Sequence, residues 1–281
     1  MTIDNPMPTQ MLSAQVKLAL QEDVGQQDLT ADLIPVDLVA TASIITREAM
    51  TLCGQDWLDE VFKQLDPDIS INWHFADGDQ LNANDIICTL QGAARMLLTG
   101  ERTAMNFVQT LSATATLTRS YVEQVHGLNV QILDTRKTIP NLRLAQKYAV
   151  LCGGGYNHRI GLYDGILIKE NHIQAAGSIA QAVTQAKHLH PDIAIEVEVE
   201  NKDELQQALS AQADIILLDN FDIAALKDAV SINQNQALLE ASGNVSLLTL
   251  RNIAETGIDR ISIGALTKDI KAIDLSMRFI A

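Results

Sequence analysis

Paired cysteines, a basic surface and long apolar runs are all missing from this chain. Its three cysteines, Cys53, Cys88 and Cys152, have no CxxC spacing. That excludes a zinc ribbon or a dithiol motif and fits reduced, structural thiols in the cytoplasm. Aromatic residues make up only 4% of the chain, and the 47% hydrophobic content is carried by Ala, Leu, Ile and Val, a load suited to alternating strands and helices. A formal net charge of -15 without a basic stripe excludes nucleic acid and anionic membrane as partners. No segment reaches the roughly 18 apolar residues of a membrane span. The opening MTIDNPMPTQMLSAQ lacks the basic and apolar stretches of a leader, so a cytoplasmic protein is expected. Six histidines contain no HExxH, and His188 and His190, just before Pro191, read as solvated caps at a helix end, so no zinc is expected. GxxxxGK[ST] and a post-strand GxGxxG are also absent, which removes nucleotide loops of those kinds.

At 281 residues the chain can form one large core or a core with a smaller companion domain. The first hundred residues mix helical stretches with alternating runs, and Asp77-Gly78 marks a turn before the strand-like DIICTL. This pattern predicts an antiparallel sheet with packed helices. Helix formers without Pro, and with Gly only at Gly100 near the start, then predict a long linking helix from Thr99 to about Val125. From residue 130 onward, apolar strand candidates begin at Val130, Gly165, Ile193, Asp214, Ala237 and Arg260, with helical stretches between them. Six such units predict parallel βα architecture, a barrel or near-barrel.

In such a barrel the carboxyl ends of the strands converge on one mouth. Here those ends supply Asp134, Thr135, Arg136 and Lys137, then Lys169 with Glu170, Glu198 and Glu200, Asp219-Asn220, Ser242-Gly243-Asn244, and Ile263-Gly264-Ala265. Between Val130 and His172 lie six Lys or Arg against three acids, a local positive surplus in an acidic chain. Arg143 and Lys147, four apart on a predicted helix, read as a solvated face. Arg136, Lys137 and Lys169 follow apolar strands directly, and clustered cations there call for an anion. The run from Cys152 to Arg159, with three glycines before Tyr156, Asn157, His158 and Arg159, reads as main chain brought close to that anion. Glu198 and Asp219 are candidates for Mg²⁺ held with a substrate phosphate, for sugar hydroxyls, or for a structural ion pair. Small residues after the last two strands suit a monophosphate site at helix N-termini.

The run DTRKTIPNLRLAQKYAVLCGGGYNHRIGLYDGILIKENHI from Asp134, with GERTAMNFVQTLS, EVEVEN, LLDNF, ASGN and SIGALT in order, resembles the quinolinate phosphoribosyltransferase family over nearly the whole chain. The resemblance implies an α/β fold: an open, TIM-like parallel βα barrel at 111–270 after an N-terminal α+β sandwich with its linking helix at 1–110. Residues 271–281 would return to the first domain. It further implies quinolinate and phosphoribosyl pyrophosphate as substrates in NAD biosynthesis, Mg²⁺ as cofactor, and a homodimer with shared sites, with a higher oligomer also open. On matching positions, Arg102 (from the neighbouring subunit), Thr135, Arg136, Lys137, His158, Arg159 and Lys169 would bind the anionic ring. Glu198 and Asp219 would serve the ribose and metal, and Ser242, Gly243, Asn244, Ile263, Gly264 and Ala265 the phosphate. Lys137, Glu198 and Asp219 would be catalytic. The chain departs from the family pattern at Gln27, Asn141, Ser112 to Thr116 and Lys268, none of them a catalytic position. Alternatives are a related phosphoribosyltransferase for another anionic ring, a Schiff-base lyase using Lys169, and a non-catalytic binding protein.

Overall fold

A computed structural model describes residues 3–280. Its strands are β1 (Val39–Thr46), β2 (Met50–Thr51), β3 (Ser70–Trp73), β4 (Gln80–Leu81), β5 (Ile86–Ala93), β6 (Gln131–Leu133), β7 (Ile166–Ile168), β8 (Ile195–Val199), β9 (Ile215–Asp219), β10 (Leu238–Ser242), β11 (Arg260–Ser262) and β12 (Leu275–Phe279). Its α-helices are α1 (Thr9–Val24), α2 (Gln55–Leu65), α3 (Ala94–Gln124), α4 (Arg143–Cys152), α5 (Glu170–Ala176), α6 (Ile179–Leu189), α7 (Lys202–Ser210), α8 (Ile223–Asn233), α9 (Leu250–Ala254) and α10 (Ala265–Lys268). Among the described residues no helix is long and apolar enough to cross a membrane.

Two compact units divide the chain. The first holds residues 3–119, 139–154 and 269–280, the second 120–138 and 155–268. In the first unit an antiparallel sheet runs β12-β1-β5-β3. Alternation along β1 turns Ala42, Ile44 and Thr46 inward, as a sheet with one buried face requires. Trp57 of α2 is fully buried, and its indole N–H donates to Gln15 Oε1 at 2.6 Å. The division departs from the expected boundary at 110/111. Helix α4 was expected among the barrel helices, but Ala145, Tyr148, Ala149 and Cys152 pack into the first unit's core. The same helix corrects the expected solvated face, because Lys147 is 1% exposed. Strand β12 lies on the free edge of β1, with Ile44 opposite Met277.

All three cysteines are buried and free. Cys53, Cys152 and Asp77 offer ligand atoms within 4.8 Å of one another, but the Asp77 oxygens are already taken. They accept from Gly54 N at 3.0 Å and from the Tyr148 hydroxyl at 3.0 Å, capping the start of α2. Asp77 as a whole is partly exposed, with its carboxylate turned inward onto these donors. Burial pushes its pKa up to about 6 against the pull of those hydrogen bonds. A folded value above the ordinary 3.8 means stability that is present below the unfolded value and lost as pH rises through 6. Asp77→Asn should therefore gain on the wild type by on the order of 1–3 kcal/mol between about pH 4 and about pH 7. Urea unfolding at both pH values checks this, and a constant difference between the two proteins would refute it.

The second unit is a six-stranded sheet ordered β6-β11-β10-β9-β8-β7, with every recorded pairing parallel. The first and second strands in chain order stand at its two ends, so the barrel curls without closing between them. Tyr156 bridges to Leu133 in parallel, which covers the free edge of β6. Side-chain caps start several helices: Ser178 accepts from Gln181 N, Asn201 from Glu204 N and Asp222 from Ala225 N. These caps end the loops at the carboxyl face and so fix where each strand-end residue begins.

Candidate active site at the carboxyl ends of the barrel strands

Buried Asp134 organises the first strand end. Its Oδ1 accepts from His158 N at 2.9 Å and its Oδ2 from Asn157 Nδ2 at 2.7 Å. Thr135 Oγ1 accepts from Lys137 N at 3.1 Å, and Lys137 O accepts from Thr267 Oγ1 at 2.7 Å. The Lys137 main chain is thus clamped from both sides. Its side chain lies over Gly264, where an added Cβ would stand 3.0 Å from Lys137 Cδ. The second strand end joins the third through an ion pair between Lys169 and Glu198. A nucleophilic amine must be free to approach a carbonyl carbon, whereas Lys169 is engaged as a donor to a carboxylate, so the contact disfavours a Schiff-base role for it.

Burial, and then the nearby charge of Arg136, lower the pKa of Arg159. A half-buried guanidinium with a second cation nearby is stabilised by an anion. On the opposite side of the mouth the sign reverses. Exposed Glu200 has a raised pKa because of the negative charge of Glu170, with further contributions from burial, Glu204, Asp219 and Glu198. That excess of carboxylate suits a cation.

The ends of β9 and β10 interlock. Asn220 N donates to Ser242 O at 3.0 Å, and Asn220 Nδ2 donates to Asp219 Oδ2 at 2.8 Å. Asn244 Nδ2 reaches Asn220 Oδ1 at 3.4 Å. Asn220, Gly243 and Asn244 all take positive φ, with Gly243 at 97°. After β11, one expectation needs correcting. Ile263 is buried and its N–H donates to Leu133 O at 2.9 Å, so that amide is committed to the sheet and does not serve a phosphate. Arg102 is an exposed residue of α3 in the first unit.

Beneath the mouth lies a cluster that the sequence patterns do not announce. His158 Nε2 is 2.9 Å from Glu196 Oε2 and 3.4 Å from Glu240 Oε1, and Arg260 Nε is 3.3 Å from Glu240 Oε2. Burial disfavours the imidazolium, but the hydrogen bonds and charges of the two glutamates outweigh it and push the ring's pKa up to about 9. Against this, His158 Nδ1 accepts the Arg159 N–H at 2.8 Å, and a proton on Nδ1 would set two hydrogens against each other. The main-chain contact decides the form: a neutral ring with its proton on Nε2, donated to Glu196. His158, Glu196 and Glu240 also bring ligand atoms within 4.8 Å of one another, yet this tautomer leaves no lone pair on the nitrogen that faces the carboxylates. A charged residue inside each of the apolar runs ALLEA and RISI was the available signal.

The model for the quinolinate phosphoribosyl transferase C-terminal domain matches residues 114–278, and that for the N-terminal domain matches residues 28–112. The chain belongs to the quinolinate phosphoribosyltransferase family. Among relatives, a probable carboxylating nicotinate-nucleotide pyrophosphorylase of Bacillus subtilis (strain 168) is 40% identical, covering 91% of this chain and 89% of that protein. The carboxylating nicotinate-nucleotide pyrophosphorylase of Mycobacterium leprae is 39% identical over 93% of this chain and 95% of its own. The structure of nicotinate-nucleotide pyrophosphorylase from Francisella tularensis superposes with a TM-score of 0.96 at 51% identity, covering 98% of both chains. For a quinolinate phosphoribosyltransferase, the split mouth places cations on the β6 and β7 side and carboxylates with glycine loops on the β8 to β11 side.

Proposed function

We infer that this chain is a carboxylating nicotinate-nucleotide pyrophosphorylase, which transfers the phosphoribosyl group of phosphoribosyl pyrophosphate to quinolinate in NAD biosynthesis. The observation that carries the reading is the set of cations that leave the barrel strands, Arg136 and Lys137 after β6 and Lys169 after β7, to which a ring dicarboxylate is complementary. The pyridine nitrogen forms a bond to the anomeric carbon as the carbon–oxygen bond to pyrophosphate breaks. Loss of the adjacent carboxylate as CO₂ leaves an electron pair on the ring carbon, stabilised by the positive ring nitrogen and then protonated, giving nicotinate mononucleotide. Positioning and electrostatics suffice for this chemistry.

Arg136, Arg159 and Lys169 hold the ring carboxylates, with Thr135 supporting the loop, and Lys137 faces the carboxylate that departs. Ser242, Gly243 and Asn244, together with the amides of Gly264 and Ala265, receive the phosphate. Glu198 and Asp219 fit Mg²⁺ held jointly with pyrophosphate, since this ion is commonly bound through one or two carboxylates plus substrate phosphates. When bound, the ion would neutralise the leaving group's charge. Exposed Arg102 fits a role in the site of a second copy of the chain. The test is incubation with quinolinate, phosphoribosyl pyrophosphate and Mg²⁺, with nicotinate mononucleotide and CO₂ measured together. Equal amounts of both are expected, and neither product from folded protein would overturn the assignment.

A further inference from the structure

The segment that carries Arg159 has almost no secondary structure of its own. Between α4 and β7 the chain forms only the single bridge at Tyr156. Yet a group that must meet a carboxylate in a fixed direction needs positional support within fractions of an ångström. Side chains supply it. Asp164 closes the far end of the loop by accepting from Ile160 N at 2.7 Å and Gly161 N at 2.8 Å. Asp134 holds the near end through Asn157 and His158. The Arg159 peptide itself is held by the His158 ring, which accepts its N–H, while Arg159 Nη1 donates to Gly165 O at 3.3 Å.

The His158 ring in turn stands on buried charge. Glu240 is fully buried in the middle of β10, paired in register with Arg260 of β11, and Glu196 is 4% exposed. Burying carboxylates and a guanidinium costs several kcal/mol per ion before any pairing, and well-packed apolar residues in their place are often as stable or more so. Stability alone therefore does not account for this network in the barrel interior. Its geometry does more than fill space. Two carboxylates converge on one imidazole nitrogen while the other nitrogen faces the peptide of a substrate-facing arginine.

We propose that Glu240 and Arg260 are positioning residues for the quinolinate half of the site, acting through His158 to set the Arg159 main chain and so the direction of its guanidinium. This rests on the assignment of quinolinate to the Arg136 and Arg159 pair. The recorded charged contacts of Glu240 and Arg260 are with His158 and with each other, so the network should act on the dicarboxylate more than on phosphoribosyl pyrophosphate.

Glu240→Gln keeps the shape of the side chain and removes its charge. With it, KM for quinolinate should rise about tenfold, as loss of a supporting partner behind a ligand-binding group commonly does, while KM for phosphoribosyl pyrophosphate and kcat stay within about threefold. Calorimetric binding of quinolinate should weaken by the same factor as KM rises. Arg260→Lys, which keeps a cation beside Glu240, should recover most of the affinity that Arg260→Met loses. If Glu240→Gln does not fold, the Arg260 pair carries the test in the full chain. An unchanged KM for quinolinate, equal behaviour of Arg260→Lys and Arg260→Met, or a parallel loss of kcat and of affinity for both substrates would overturn the proposal. A wild type that forms no nicotinate mononucleotide would instead remove the underlying assignment, whereas an active wild type with unmoved variants removes only the positioning role.

Discussion

Lys137→Ala is expected to lower kcat by about 10²–10³-fold, the range seen when a preorganised electrostatic contact to the transition state is removed. The main chain of Lys137 is clamped by Thr135 and Thr267, and its side chain is exposed above Gly264. That placement puts the ammonium at the junction of the β6 and β11 loops. Because the side chain is exposed, folding should tolerate its loss, and thermal unfolding should move little. Binding of both substrates should weaken less than turnover, since Arg136 and Arg159 still hold the ring carboxylates. Single-turnover measurement of nicotinate mononucleotide and CO₂ reads the effect directly. A kcat within about threefold of wild type would assign the departing carboxylate to the arginines instead. Lys137→Arg should recover only part of the rate, because the planar guanidinium is broader than the ammonium that fits over Gly264.

The six barrel strands and their polar ends are legible in the sequence for a physical reason. Parallel strands buried on both faces read as short apolar runs, and a chain that must leave such a run toward a mouth changes abruptly to polar residues, as at Leu133-Asp134 and Leu218-Asp219. The membership of α4 is not legible there. An apolar helix between two strands looks like a barrel helix from its spacing, and which core receives its apolar face is a tertiary fact. Lys147 misleads for the same reason, because periodicity places a lysine on a face without saying what covers it. Glu240 and Arg260 escape notice because their partnership depends on register between β10 and β11, and each alone is one charge in an apolar run. Ile263 shows the converse. Its place in the SIGALT motif suggests a phosphate contact, while the sheet has a prior use for its amide.

Gly243→Ala is expected to raise KM for phosphoribosyl pyrophosphate by at least about tenfold and to lower Tm by roughly 2–8 °C. Gly243 has φ near 97°, where a side chain strains the main chain by about 1–2 kcal/mol. Its new Cβ would also stand 2.1 Å from Asn220 Oδ1 and 3.1 Å from Asn220 N. The Asn220 side chain can swing away, but only by giving up its hydrogen bond to Asp219 and its contact with Asn244. The damage thus reaches both the phosphate loop and the carboxylate proposed for the metal, and KM for quinolinate should change much less. Gly264→Ala makes the discriminating control. Gly264 does not take positive φ among the described residues, and the nearest atom to its added Cβ is Lys137 Cδ, on a flexible side chain. Its Tm should stay close to wild type while kcat falls as Lys137 is pushed aside. If the two variants instead lost stability equally and kept the same KM for phosphoribosyl pyrophosphate, the β9 and β10 loops would be structural turns and the phosphate would have to bind elsewhere.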